Sequence, residues 1–116
     1  MVNSRAKGCR GERSWRDVLR SIGFTDARRG QQFSGSPDSP DVVNGIPGTH
    51  PEVKWVEKLN IYTAIEQAVA DAGDAIPYVA CKRNRKPWLV VVRADDLVDF
   101  SRRVAAATDR TEGAAQ

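Results

Sequence analysis

Soft metal ligands are scarce in this chain. It holds two cysteines, Cys9 and Cys81, and one histidine, His50. Two thiols are too few for a disulfide framework, and without metal-ligand spacing and with one histidine a zinc site is not expected. Both are expected to be reduced thiols, with a chance structural pair as the alternative. Long apolar runs are missing too. None approaches the roughly 20 residues that a membrane span needs, so no membrane partner is expected. The basic residues of 1–10 are followed by no apolar stretch, which argues against a secretory signal and for a cytoplasmic protein. There is no internal repeat. What is present is 28% charged and 41% hydrophobic residues in a chain of 116, the make-up of one globular domain with one core.

A net charge of +3 conceals a segregation. Residues 1–30 carry a balance of +5, residues 31–81 of −5, residues 82–103 of +4, and the remainder −1. An acidic middle between basic flanks suits carboxylates that hold a metal beside Lys and Arg that meet phosphates. The bland alternative is a solvated surface.

Periodicity divides the chain into an arm over 1–7, a domain over 8–106 and a frayed tail over 107–116. Trp15, Val18, Leu19 and Ile22 form one helical stripe, and Gly23 follows as a C-terminal cap. Residues 28–40 are rich in Gly, Ser and Pro and read as loop. Asp41–Ile46 reads as a short strand closed by Pro47-Gly48, and Glu52–Val56 as a second strand. Asn60 caps a helix with apolar Ile61, Ala64, Ile65, Ala68, Val69 and Ala72, closed by Gly73. Ile76–Cys81 is a third strand, Lys82–Pro87 a basic turn, and Trp88–Arg93 a fourth strand whose continuous apolar run predicts burial on both faces. A last helix covers 95–106. The order α-β-β-α-β-β-α predicts an α/β fold, a mixed sheet flanked by helices.

The second strand is chemically the most informative. Alternation puts Glu52 and Lys54 on one face and Val53 and Trp55 on the other. Burying a carboxylate and an ammonium together is costly unless they have a use. Asp41 comes near Glu52 if its strand pairs with the second strand through the Pro47-Gly48 turn. Two carboxylates and a backbone carbonyl, here that of Val53, can hold Mg²⁺, which keeps several waters. Lys54 then orients water or offsets charge on a phosphate. Glu12 lies in line with the Trp15/Leu19 stripe, where an apolar residue is expected, and can face the metal directly or through water. An ion pair with Arg16 is the alternative.

These residues resemble a known family. Glu12, then Ser39-Pro40-Asp41-Val42-Val43, then Glu52-Val53-Lys54 looks like the PD-(D/E)xK nuclease pattern. The text around them narrows it. Lys7-Gly8-x-x-Gly11-Glu12-Arg13, then Gly23-Phe24 and Arg28-Arg29, then Ser34-Gly35 ahead of the Pro-Asp, is similar to archaeal and phage Holliday junction resolvases. The likeness covers roughly residues 5–93. It implies a restriction-endonuclease-like fold, a homodimer, a need for Mg²⁺ with Mn²⁺ able to substitute, and a phage source. It also implies a functional loop serine, mapped to Ser34 with Ser36 as runner-up. The chain departs from the pattern in carrying a second Pro-Asp at Pro37-Asp38; Pro40-Asp41 is preferred because Val42-Val43 continue it as a strand. Gln67, off the apolar stripe of its helix, resembles a polar residue that wider members carry behind the site, and is expected to bridge to Lys54 or DNA; a solvated glutamine is the alternative.

Phosphate contacts are expected from Lys7, Arg10, Arg13, Arg28, Arg29, Lys82, Arg83, Arg85 and Lys86. A merely soluble hairpin is the alternative for the last four. Trp88 reads as core, and Phe33 as a contact to DNA or a partner subunit. The functions to be separated are a structure-selective endonuclease acting on four-way DNA junctions, a generic duplex or repair nuclease of the same superfamily, and a non-catalytic nucleic-acid-binding protein. Too little chain remains for a target-recognition domain, which favours reading structure over reading sequence.

Overall fold

The computed structural model describes residues 4–30 and 41–115. Helix α1 spans Ser4–Ile22. The expected stripe is buried at Trp15 and Leu19, whereas Ile22 is half exposed. The helix stops where the glycine predicts. Phe24 N–H reaches back to Leu19 C=O at 2.9 Å and Gly23 N–H to Arg20 C=O at 3.2 Å, with Gly23 at φ 136°. That pair of bonds is a Schellman cap, and Phe24 packs in the same cluster as Leu19, the apolar contact that completes the motif.

Arg28–Arg29 is a short strand, β1, within the stretch expected to be loop. It pairs antiparallel with β2, Val42–Val43, and Gly30 N–H bonds to Asp41 C=O at 3.0 Å. The expectation that the Asp41 strand pairs with the second strand through Pro47-Gly48 is therefore corrected. The strand is shorter, and its ladder partner is β1. No period-2 pattern marks Arg28-Arg29, so only tertiary pairing makes it a strand.

β3 covers Thr49–Trp55, beginning earlier than expected, and lies parallel to β4, Ile76–Lys82, with Glu52 opposite Val79 and Lys54 opposite Cys81. The crossover is α2, Ile61–Ala72, capped as expected by Asn60, whose side chain accepts from Thr63 N–H at 3.1 Å. β5, Leu89–Val92, runs antiparallel to β4. The sheet order is β3-β4-β5, so β4 is central and every residue of it except Lys82 is buried. The run expected to be buried on both faces, Leu89–Val92, instead forms an edge: Leu89 is 58% and Val90 43% exposed. A 3₁₀ turn at Ala94–Asp96 leads into α3, Leu97–Ala115, which runs past the end expected near residue 106. Among the described residues, no helix is long and apolar enough to cross a membrane.

The described residues are thus α/β, a three-stranded mixed sheet with helices packed on it and a separate two-stranded ladder. On one sheet face Tyr78 and Ala80 pack with Trp15 and Leu19 of α1, and Phe100 and Val104 of α3 close over them. On the other face Val79 and Cys81 pack with Ala64 of α2.

Candidate active site

Among the described residues β3 has no strand on the side away from β4. Along that free edge the acidic residues gather. Asp41 sits one residue ahead of β2, and its Oδ2 accepts the Val53 N–H at 2.8 Å, so a side chain takes the place of a neighbouring strand. Alternation puts Glu52 and Lys54 on one face of β3, where they pair at 3.4 Å. Gly11 lets α1 come close to the same strand: a Cβ there would lie 3.4 Å from the Trp55 Cβ and 3.6 Å from the Val53 Cγ1. The next residue, Glu12, is buried at 8% exposure and accepts from Arg29 Nε at 3.0 Å.

Burial pushes the Asp41 carboxyl up to about 7, against the Val53 hydrogen bond, which favours the charged form. The negative charges of Glu52 and then Glu12 contribute to that rise, and Lys54 opposes it. A carboxylate so placed is short of positive charge, which is the environment a divalent cation relieves. Arg29 does not supply enough: its Nε is spent on Glu12 and its Nη2 on the Cys9 sulfur at 2.8 Å. The Glu12 hydrogen bond in turn holds the Arg29 guanidinium in its charged form.

Glu12, Asp41, Glu52, Val53 and Lys54, from three separate stretches of chain, are therefore brought together. The alternative partner weighed for Glu12, Arg16, binds Asp17 instead. Gln67 does not join the group; it is exposed on α2 and donates to Asp71 at 2.8 Å. Helical spacing explains this, since Asp71 stands one turn on from Gln67. Ser34 and Ser36, with Phe33 and Asp38, lie outside the described residues. Among the described residues no three His, Cys, Asp or Glu side chains enclose a metal by themselves. Asp41 and Glu52 lie close at this edge; with the Val53 carbonyl and water they are the smaller donor set that was expected for Mg²⁺. Glu12, expected to face the metal directly or through water, accepts from Arg29 through Oε2.

Two residues have roles that their local sequence does not signal. Arg29, expected as a phosphate contact, is an ion-pair partner within the acidic cluster; its place at the start of a loop-like stretch carries no signal of that. Trp55, on the face opposite Lys54, is a hub. The Arg10 guanidinium lies 4.0 Å and the Lys82 ammonium 4.7 Å from its ring centroid, and its Nε1 donates to Asn84 Oδ1 at 2.8 Å. Lys82 also donates to the carbonyls of Arg83 and Lys86, so it organises the turn more than it offers a free charge. Arg13, Arg28, Arg83, Arg85 and Lys86 are exposed. The side chain of Lys7 lies outside the described residues. Cys9 and Cys81 are both free thiols. Scans of protein-family models, of curated proteins and of solved structures give no match to this chain.

Proposed function

We propose that this chain is a metal-dependent DNA endonuclease that resolves four-way junctions by hydrolysing paired phosphodiesters. The observation that carries the reading is the gathering of Glu12, Asp41, Glu52 and Lys54 on the free edge of β3, with the Asp41 carboxyl raised to about 7 by burial and by its acidic neighbours. Asp41 and Glu52, with the Val53 carbonyl, would hold Mg²⁺ or Mn²⁺. Such an ion supplies Lewis-acid polarisation of the scissile phosphate. Lys54, paired with Glu52, is placed to donate toward charge that builds on phosphate oxygens or to orient the attacking water. Glu12 and Arg29 hold the approach of α1 and β1 to this edge. The finer fold assignment belongs to the same proposal: a mixed sheet with an acidic edge strand and helices on both faces accords with the restriction-endonuclease-like architecture.

Junction resolution calls for two symmetric cuts, and one copy of this chain carries one such site. The reading therefore includes a C2 homodimer that buries more than roughly 1,200 Å². Exposed Arg13, Arg28, Arg83, Arg85 and Lys86 are the phosphate contacts of the proposal. The test is incubation of the chain with a labelled four-way junction and with a linear duplex, in Mg²⁺ and in EDTA, alongside sedimentation at micromolar concentration. Mg²⁺-dependent paired nicking of the junction by a dimer is expected. A monomer that cuts duplex equally well is a generic nuclease, and binding without cutting in any metal makes it a non-catalytic binder.

A further inference from the structure

A groove of about 270 Å³ lies on the α2 side of the sheet, between the 56–61 connection and the β4–β5 turn. Its floor is apolar: Val56, Leu59, Ile61 and Leu89. Arg83 and Lys86, both exposed, stand among its lining residues. The turn that carries them is prebuilt, since Lys82 Nζ bonds the carbonyls of Arg83 and Lys86 and Lys86 N–H bonds Arg83 C=O at 3.2 Å. Cys81, also in the lining, is the register partner of Lys54. The groove therefore shares a sheet face with the Glu52–Lys54 pair and begins one strand over from Lys54, roughly 5 Å away.

We infer that this groove receives one unstacked nucleobase of a DNA strand whose phosphates are held by Arg83 and Lys86. The inference rests on the nucleic-acid reading above. The volume falls below the roughly 300–1,000 Å³ of a drug-sized site, which suits a single heterocycle. An apolar floor rejects a phosphate and accepts a base, and the cationic residues beside it accept the phosphates on either side. Intact duplex offers no such base, because each is paired and stacked. The branch point of a junction does, so the groove supplies structure selectivity without sequence readout. A second copy of this chain is a poorer occupant. A two-fold contact centred here would set Arg83 and Lys86 against their own copies, and like charges brought together repel.

The experiment uses a four-way junction with 2-aminopurine placed in turn at each nucleotide flanking the branch point, with EDTA present, and a linear duplex with the same labels. Fluorescence is expected to rise on protein binding at a junction position and not in the duplex. Leu89→Asn removes an exposed apolar floor residue, and Ile61→Asn does so from a different element, which guards against a local defect in β5. Each is expected to lose the rise and about tenfold in junction affinity, the size of one lost base contact, with duplex affinity unchanged. No rise at any position, or variants that retain it, overturns the inference. Conversion of a dimer to monomer by either variant assigns the groove to a second copy and overturns it as well. A rise that depends on Leu89 and Ile61, in a protein that cuts nothing in Mg²⁺, keeps the groove and rejects the nuclease reading.

Discussion

On one face of the central strand, Tyr78 and Ala80 are covered by two helices and a chain of aromatic contacts. Trp15 meets Tyr78 edge-on at 6.1 Å and Trp88 at 5.4 Å, and Phe100 meets Tyr78 at 5.3 Å. The Trp15 Nε1–H donates to the Tyr78 hydroxyl at 3.1 Å, and the Trp88 Nε1–H to Ser14 Oγ at 3.0 Å, so the polar tips of these rings are satisfied where they are buried. On the opposite face Val79 and Cys81 meet α2, whose buried residues are alanines. Small side chains let α2 lie close but bring little apolar area, and Ile61, Tyr62 and Val69 remain on its exposed surface. The lesson is a division of labour. The thick face supplies most of the burial that stabilises the fold. The thin face leaves room for the Glu52–Lys54 pair and the groove beside it.

The largest expected effect lies at the acidic edge. Asp41→Asn should lower Mg²⁺-dependent cleavage by roughly 10³-fold, the several kcal/mol a catalytic metal contributes, while junction affinity is kept because the phosphate contacts lie elsewhere. Full cleavage by that variant would remove Asp41 from the site. The same substitution should act oppositely on metal-free stability. The carboxyl sits near 3.8 in the unfolded chain and about 7 when folded, so between those values the folded state binds more protons. Stability of the wild type should therefore fall as pH rises from 4 to 7 and then level off. In Asp41→Asn that fall should be missing, and its Tm at pH 7.5 should be the higher. Parallel melting curves across this range would refute the burial of a strained carboxyl here.

Salt comes next. If about five phosphates per subunit are neutralised, the log–log slope of affinity against salt should be about −4 to −5, with Arg83→Ala and Lys86→Ala each reducing it by about one. A titration that hardly bends between low and physiological salt would contradict the basic rim. The faces themselves are compared by paired truncations. Leu19→Ala, at a fully buried site, should cost about 3 kcal/mol, and Leu59→Ala, half-buried on the α2 side, about 1 kcal/mol. Denaturant unfolding that ranks them in reverse would overturn the division. Tyr78→Phe should cost about 1 kcal/mol, no more than Leu59→Ala, because it strands the buried Trp15 N–H while leaving the packing intact.

Much of the scaffold was readable from local pattern. Trp15 and Leu19 announce the buried side of α1 by spacing, Gly23 its end, Asn60 and Gly73 the limits of α2, and Ile76–Cys81 a strand. Glu52 and Lys54 announce a shared face by alternation, and Glu12 stands out because a carboxylate occupies a stripe position. Each of these signals depends on residues a few positions apart, whose relative placement is set by helix or strand period alone. Strand partnership and edge position have no such local signature. Nothing in Arg28-Arg29 says that it will zip to Val42-Val43, and Leu89–Val92 is as apolar as a central strand while lying at an edge.

Local pattern thus gives most helical and extended segments, the buried stripe of α1, and the residue types available for chemistry. The tertiary structure decided which of those residues meet. It set Asp41 on the Val53 N–H through a side chain where a strand pair was expected, gave Glu12 to Arg29 in place of Arg16, and made Trp55 the bed for Arg10 and Lys82. It also left Gln67 on the surface with Asp71. The physical reason is common to the first three, whereas the Gln67–Asp71 pair follows helical spacing. A charge or a ring finds its partner by what the packed sheet and helices bring within a few ångströms, and that distance is a property of the whole chain's burial, not of the period of any one segment.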